Sequence, residues 1–289
     1  MKAYRDIVRA VLDHGEHREN RTGVPTKAIT GWMFEHDMAK GFPLLTTRRI
    51  SLKLVKTELE FFIKGKTDKR WLQERGNHIW DEWANPKKAP YGHDVHSKRY
   101  MLLERDLGPV YGFQWRHLGA KYESWDTDYK GKGVDQLKRV VETLKTNPND
   151  RRMLVTAWNP LDLDQQALPP CHYGFQVTVT NGKLNLLWNQ RSVDVVLGLP
   201  FNIASYALLL HLLAKETGFQ EGKLIGFLGD VHIYENHLQG AKAMLEREPF
   251  PTLPELVTTN FTSIFNWTHE DTKVMGYQCH PVMEFEIAI

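Results

Sequence analysis

The chain has 289 residues, with 37 basic and 35 acidic side chains and a formal net charge of +2. At 25% charged and 42% apolar residues it falls outside the disordered, collagen-like and disulfide-framework classes, and so even a charge balance gives no electrostatic case for nucleic acid or an anionic membrane as its primary partner. At about 150 residues per domain the length allows two domains or one large one; the patterning described below favours one compact α/β or α+β domain over 1–289. No apolar run is long enough to cross a bilayer, and the opening residues lack the uninterrupted apolar stretch of a signal peptide. A cytoplasmic protein with Cys171 and Cys279 as free thiols is the expectation.

In chain order, Ile7, Val8, Val11 and Leu12 recur at helical spacing, and Gly15 offers a stop, which predicts a helix over 4–15. A turn-rich loop, Arg21 to Thr26, leads to a predicted strand over 27–35. Ser51 can cap a helix whose apolar stripe is Leu52, Val55, Leu59, Phe62 and Ile63, ending at Gly65. Glu58 falls beside that stripe, and an acid there needs a reason. Residues 84–107 and 117–133 mix Pro, Gly, Lys, Tyr and Asp with little periodicity and read as surface excursions. A helix over 133–146 and a strand over 151–158 follow. After Pro169-Pro170-Cys171-His172, Phe175, Val177 and Val179 alternate with polar residues, Asn181-Gly182 supplies hairpin-turn chemistry, and 183–189 returns. Asn202 is read as opening a buried helix to 217. A strand over 223–229 would then deliver Asp230, His232 and Tyr234 into a helix over 233–246.

Residue type alone leaves alternatives open. Cys171 is the best candidate nucleophile, because a thiolate is intrinsically potent and neighbouring positive charge can activate it; a small buried hydrophobe is the competing reading. Arg21, Arg151, Arg152, Arg191 and Ser192 could hold a phosphate dianion through guanidinium forks and a hydroxyl, or be solvated surface groups. Glu58 could be an acid with a pKa raised by burial or one that reaches solvent. His172 and His232 could move protons or merely satisfy backbone groups. Asn202 could be a helix N-cap, and Trp80 and Trp83 either core or one wall for a flat heterocycle.

These residues sit in ordered blocks: Asn20-Arg21-Thr22-Gly23, Ile79-Trp80-Asp81-Glu82-Trp83, Asp150-Arg151-Arg152, Leu168-Pro169-Pro170-Cys171-His172, Gln190-Arg191-Ser192, Leu197 to Tyr206, and Gly229 to Tyr234. Over its whole length the chain resembles the thymidylate synthases. The resemblance implies a mixed β-sheet packed by helices, a homodimer joined through the sheets, and reductive methylation of dUMP to dTMP by 5,10-methylenetetrahydrofolate, with no metal. It implies Cys171 as nucleophile toward the pyrimidine, with Glu58, Tyr111 and His172 organising water and protons. Arg21, Arg191 and Ser192 would hold the phosphate, with Arg191 also in the catalytic set, joined by Arg151 and Arg152 from the partner subunit. His232 and Tyr234 would take the sugar hydroxyl, Asn202 the uracil edge, and Asp194 would act in the catalytic, nucleotide and folate networks. Ile79, Trp80, Trp83, Leu197, Gly198, Phe201 and Ile289 would face the folate. Arg48, Glu60 and Asn189 depart from the usual family residues, as does the long 84–107 excursion. A dUMP hydroxymethyltransferase and a nucleic-acid-binding regulator are the alternative functions.

Overall fold

A computed structural model describes residues 1–287. In chain order the helices are α1 (Lys2–His14), α2 (Leu52–Ile63), α3 (Arg70–Gln73), α4 (Val95–Leu103), α5 (Tyr111–His117), α6 (Gln136–Thr146), α7 (Gly198–Thr217) and α8 (Leu238–Glu246). The strands are β1 (Glu16–Arg18), β2 (Thr26–Asp37), β3 (Leu154–Thr156), β4 (His172–Thr180), β5 (Lys183–Asp194), β6 (Gln220–Tyr234), β7 (Glu255–Thr258) and β8 (Thr272–Met275). The class is mixed α/β, with a mixed sheet packed by helices. The chain divides into two compact units, one formed by 1–52, 177–259 and 272–289, the other by 53–176 and 260–271.

In the first unit the strand order is β1-β2-β6-β5, with the 177–180 end of β4 beyond β5. β2 runs antiparallel to β6, and β5 parallel to it. α7 is apolar on nearly every face and lies buried against β5 and β6, as expected for a helix without a polar side. The hairpin between β4 and β5 turns at Asn181 (φ 52°) and Gly182 (φ 72°), both left-handed, a combination that matches strand twist and that Asn-Gly tolerates best.

β6 is longer than the pattern predicts, so Asp230, His232 and Tyr234 lie within the strand, not beyond it. α7 begins at Gly198, which places Asn202 inside the helix and removes its role as N-cap. Pro200 is accommodated there because first-turn amides have no intrahelical acceptor.

In the second unit, the 172–176 end of β4 pairs antiparallel with β3. α2 buries Val55, Leu59, Phe61, Phe62 and Ile63. Neither excursion is purely superficial. Ala120, Tyr122 and Tyr129 pack with Phe113, and Ala84, Ala89 and Met101 form a second small core. Within 84–107 the chain forms α4, capped by Asp94, whose carboxylate accepts from the His96 and Ser97 amides. Glu60 is buried because it has partners: Lys64 donates to one oxygen at 2.5 Å, and the His269 amide and ring bond the other at 2.9 and 2.6 Å. No helix among the described residues is long and apolar enough to cross a membrane.

Candidate functional site

In the second unit, Cys171 lies at the mouth of β4, partly exposed, after the diproline that stops the preceding chain. Its backbone N–H donates to the Tyr111 hydroxyl at 2.9 Å. Tyr111 stands at the start of α5 and stacks on the His172 ring, centroids 4.4 Å apart at 26°, and on Phe62 of α2 at 4.8 Å. Trp80 meets Tyr111 edge-on at 6.0 Å, and its indole N–H donates to Glu58 Oε1 at 2.8 Å. Cys171, Tyr111, His172, Trp80 and Glu58 are therefore brought together.

Burial sets the electrostatics here. It raises the Glu58 pKa from 4.5 to about 7, against a smaller opposing effect of the Trp80 hydrogen bond. Burial also lowers His172 to about 3, so its imidazole stays neutral near pH 7. Such a carboxyl can hold or release a proton near neutrality, and the neutral His172 imidazole adds no charge to the cluster.

The Glu58 shift makes a stability prediction. A raised folded-state pKa means the folded chain binds the proton more tightly than the unfolded one, so stability declines as pH rises from 4.5 to about 7. Glu58→Gln removes that decline while keeping an acceptor for Trp80. In urea unfolding, the stability of E58Q relative to wild type should be higher at pH 8 than at pH 5 by about 2 kcal/mol. A difference independent of pH would refute the buried-acid assignment.

Trp83 stacks on Tyr91 at 5.8 Å and 11°, while Ile79 is 42% exposed. Arg151 and Arg152 are both exposed. The Arg152 Nε and Nη2 donate to the two oxygens of Asp150 at 3.0 and 2.8 Å, a bidentate fork.

In the first unit, Arg191, Ser192 and Asp194 follow one another along the end of β5. Ser192 is registered with Asp230 of β6, and Asp194 with His232. Asp194 Oδ1 accepts the Val196 and Leu197 amides at 3.0 and 2.9 Å, which shapes the entry into α7, where Gly198, Phe201 and Asn202 lie. His232 faces Asp230 at 3.3 Å and Tyr234 edge-on at 5.4 Å; Arg18 also donates to Asp230, at 2.6 Å. Arg21 sits exposed in the turn after Asn20. Ile289 lies outside the described residues. Arg48 is buried, donates to the Val196 carbonyl and lies 5.5 Å from the Phe285 ring, so it braces the segment leading to the C-terminus.

Gln190 was not singled out by residue type, yet it orients Asn202. The Trp188 indole N–H, which can only donate, bonds Gln190 Oε1 at 3.1 Å. Gln190 Nε2 must then face away, and it donates to Asn202 Oδ1 at 2.9 Å. The Asn202 amide is thereby aligned, with a second lone pair on Oδ1 and both Nδ2 hydrogens still able to bond. The available signal was a glutamine in a buried phase of the β5 alternation, between Trp188 and Ser192.

Among the described residues no group of His, Cys, Asp and Glu is arranged to hold a metal ion. The family model described as thymidylate synthase matches residues 2–289. A bifunctional dihydrofolate reductase-thymidylate synthase of Paramecium tetraurelia is 43% identical over 286 residues, covering 99% of this chain. The chain spans 61% of that relative's length. The thiol at the mouth of β4, the neutral histidine next to it in sequence, the acid bonded to Trp80, and a family match running the length of the sequence lead to one assignment: this chain belongs to the thymidylate synthase family.

Proposed function

We propose that the chain converts dUMP and 5,10-methylenetetrahydrofolate into dTMP and dihydrofolate, its two units serving as one catalytic domain in the cytoplasm. The assembly of Cys171, Tyr111, His172, Trp80 and Glu58 carries this reading, because it combines a nucleophile, a proton-holding acid and an aromatic wall. The Cys171 thiolate adds to C6 of the uracil, placing electron density at C5. C5 forms a carbon–carbon bond to the one-carbon unit of the folate and then loses its proton into the water network held by Glu58 and Tyr111. Elimination of tetrahydrofolate leaves an exocyclic methylene, which hydride from that folate reduces to methyl. Cys171 departs as C5–C6 unsaturation is restored. His172, neutral, donates or accepts hydrogen bonds without competing for the proton.

Arg21, Arg191 and Ser192 are assigned to the nucleotide phosphate, His232 and Tyr234 to the sugar hydroxyl, and Asp194 to the bonds around nucleotide and folate. Ile79, Trp80, Trp83, Leu197, Gly198, Phe201 and Ile289 are assigned to the folate, whose flat pterin suits aromatic and apolar neighbours. A homodimer, with Arg151 and Arg152 donated to the phosphate of the partner subunit, fits their exposure. It also fits the exposed apolar cross-strand pair Met33 and Phe227 on the sheet.

Trp80 favours hydride over water as the trap for the methylene, since a buried indole excludes solvent. Incubation of the purified protein with dUMP and methylenetetrahydrofolate should give dTMP and dihydrofolate in equal amounts. Hydroxymethyl-dUMP with tetrahydrofolate would instead identify a hydroxymethyltransferase, and nucleic-acid affinity without dUMP turnover would identify a regulator.

A further inference from the structure

We propose that Lys69 is a positioning residue for the folate site: its buried ammonium fastens the tryptophan-bearing segment 79–83 to the 84–107 excursion and so fixes the wall against which the pterin packs. The inference rests on the functional reading above, which assigns Ile79, Trp80 and Trp83 to that wall.

Lys69 is 1% exposed, a rare state for lysine. Its three N–H bonds all go to backbone carbonyls: Asp81 at 2.8 Å, Trp83 at 2.8 Å and Met101 at 2.5 Å. An ammonium has three donors and no acceptor, so the set is saturated. Two of the carbonyls come from the segment carrying the tryptophans. The third comes from the last turn of α4, where carbonyls lack intrahelical partners and the helix dipole favours a cation. The Lys69 amide also donates to the Arg105 carbonyl at 2.9 Å, anchoring the residue beside the far end of the excursion. The excursion is thus joined to Trp83 through one side chain, and Trp80, three residues before Trp83, carries the hydrogen bond to Glu58.

The charged groups that bear on the ammonium are Asp81 and Glu104, and both favour its protonation. Asp81 is itself bonded by Gln73 at 2.8 Å and His78 at 2.9 Å, and Glu104 by the Asp106 amide at 2.9 Å. Burial outweighs them and lowers the Lys69 pKa to about 8. Above that pH the amine has two N–H bonds and a lone pair for three carbonyls, so one carbonyl faces a lone pair and the fastening loosens.

Lys69→Met in the full chain tests the assignment. The KM for methylenetetrahydrofolate should rise about fivefold or more, while kcat and the KM for dUMP stay within about twofold. Amide hydrogen exchange should quicken in 79–85 and 99–105 without a general loss of protection. An unchanged folate KM, an equal rise in both KM values, or exchange unchanged in either segment would overturn the proposal. Should K69M fail to fold, wild type serves: exchange corrected for its intrinsic pH dependence should quicken in the same two segments between about pH 7 and pH 9. Undiminished protection there would overturn it. Should wild type make no dTMP at all, the functional reading fails instead, and the exchange result still decides whether the ammonium fastens the two segments.

Discussion

Replacing Cys171 with alanine should lower kcat for dTMP formation by at least about 10⁴-fold, because the proposed route has no other group to add at C6 and generate a nucleophilic C5. The loss should be confined to chemistry. The sulfur of Cys171 is not needed for the Tyr111 contact, which uses the Cys171 backbone N–H and survives the substitution. The phosphate and sugar ligands are assigned elsewhere on the chain. Calorimetric dUMP affinity should therefore stay within about tenfold of wild type, because a group bonded only during reaction contributes little to ground-state binding. Turnover by C171A above a hundredth of the wild-type rate would remove the thiol from the mechanism.

The second large effect concerns the base. Uracil presents an N3–H donor and an O4 acceptor, and on the proposed function the Asn202 amide would answer with Oδ1 and Nδ2. Its alignment is set by the Trp188–Gln190–Asn202 relay, so the amide cannot turn over to suit cytosine without breaking the bond from Gln190. A mispaired polar edge in a buried site can cost about 10⁴–10⁵ in discrimination. Wild type should accordingly favour dUMP over dCMP in kcat/KM by about that margin. In Asn202→Asp, a protonated carboxyl offers cytosine N3 a donor and its amino group an acceptor. The preference should collapse by at least about 10³-fold. Equal turnover of the two nucleotides by wild type, or an unchanged preference in N202D, would contradict this use of Asn202.

What is legible in the sequence follows from side-chain chemistry that acts locally. The stripe of α2, the Asn-Gly turn and the strand after Cys171 each depend on residues adjacent in sequence, and each formed where expected. β6 runs beyond the expected 223–229 at both ends, and Gly222, Gly226 and Gly229, a residue type that ordinarily weakens a strand, all lie inside it. In the sheet they are points of close approach: a Cβ on Gly226 would meet the Trp188 ring at 2.4 Å, and one on Gly222 the Asn185 Oδ1 at 2.4 Å. The glycines therefore admit neighbours from β5 instead of ending the strand. Gly198 and Pro200 similarly hid the first turn of α7. Glu60 and Lys69 were opaque for a related reason. A buried charge depends on partners distant in sequence, His269 for one and the Met101 carbonyl for the other, and no local pattern announces them. The proposed site divides in the same way. Cys171, Glu58 and the arginines were legible as reactive or charged types, whereas Gln190 gained its role only from Trp188 and Asn202.

The proposed route depends above all on the Cys171 sulfur bonding to C6 of the pyrimidine. Incubation with 5-fluoro-dUMP and methylenetetrahydrofolate should halt the reaction after carbon transfer, because fluorine at C5 cannot leave as a proton does. After denaturation and proteolysis, mass spectrometry should find nucleotide and folate together on the peptide that contains Cys171, and on no peptide of C171A. An adduct on Cys279, or a wild-type protein that turns over dUMP yet carries no adduct, would contradict it.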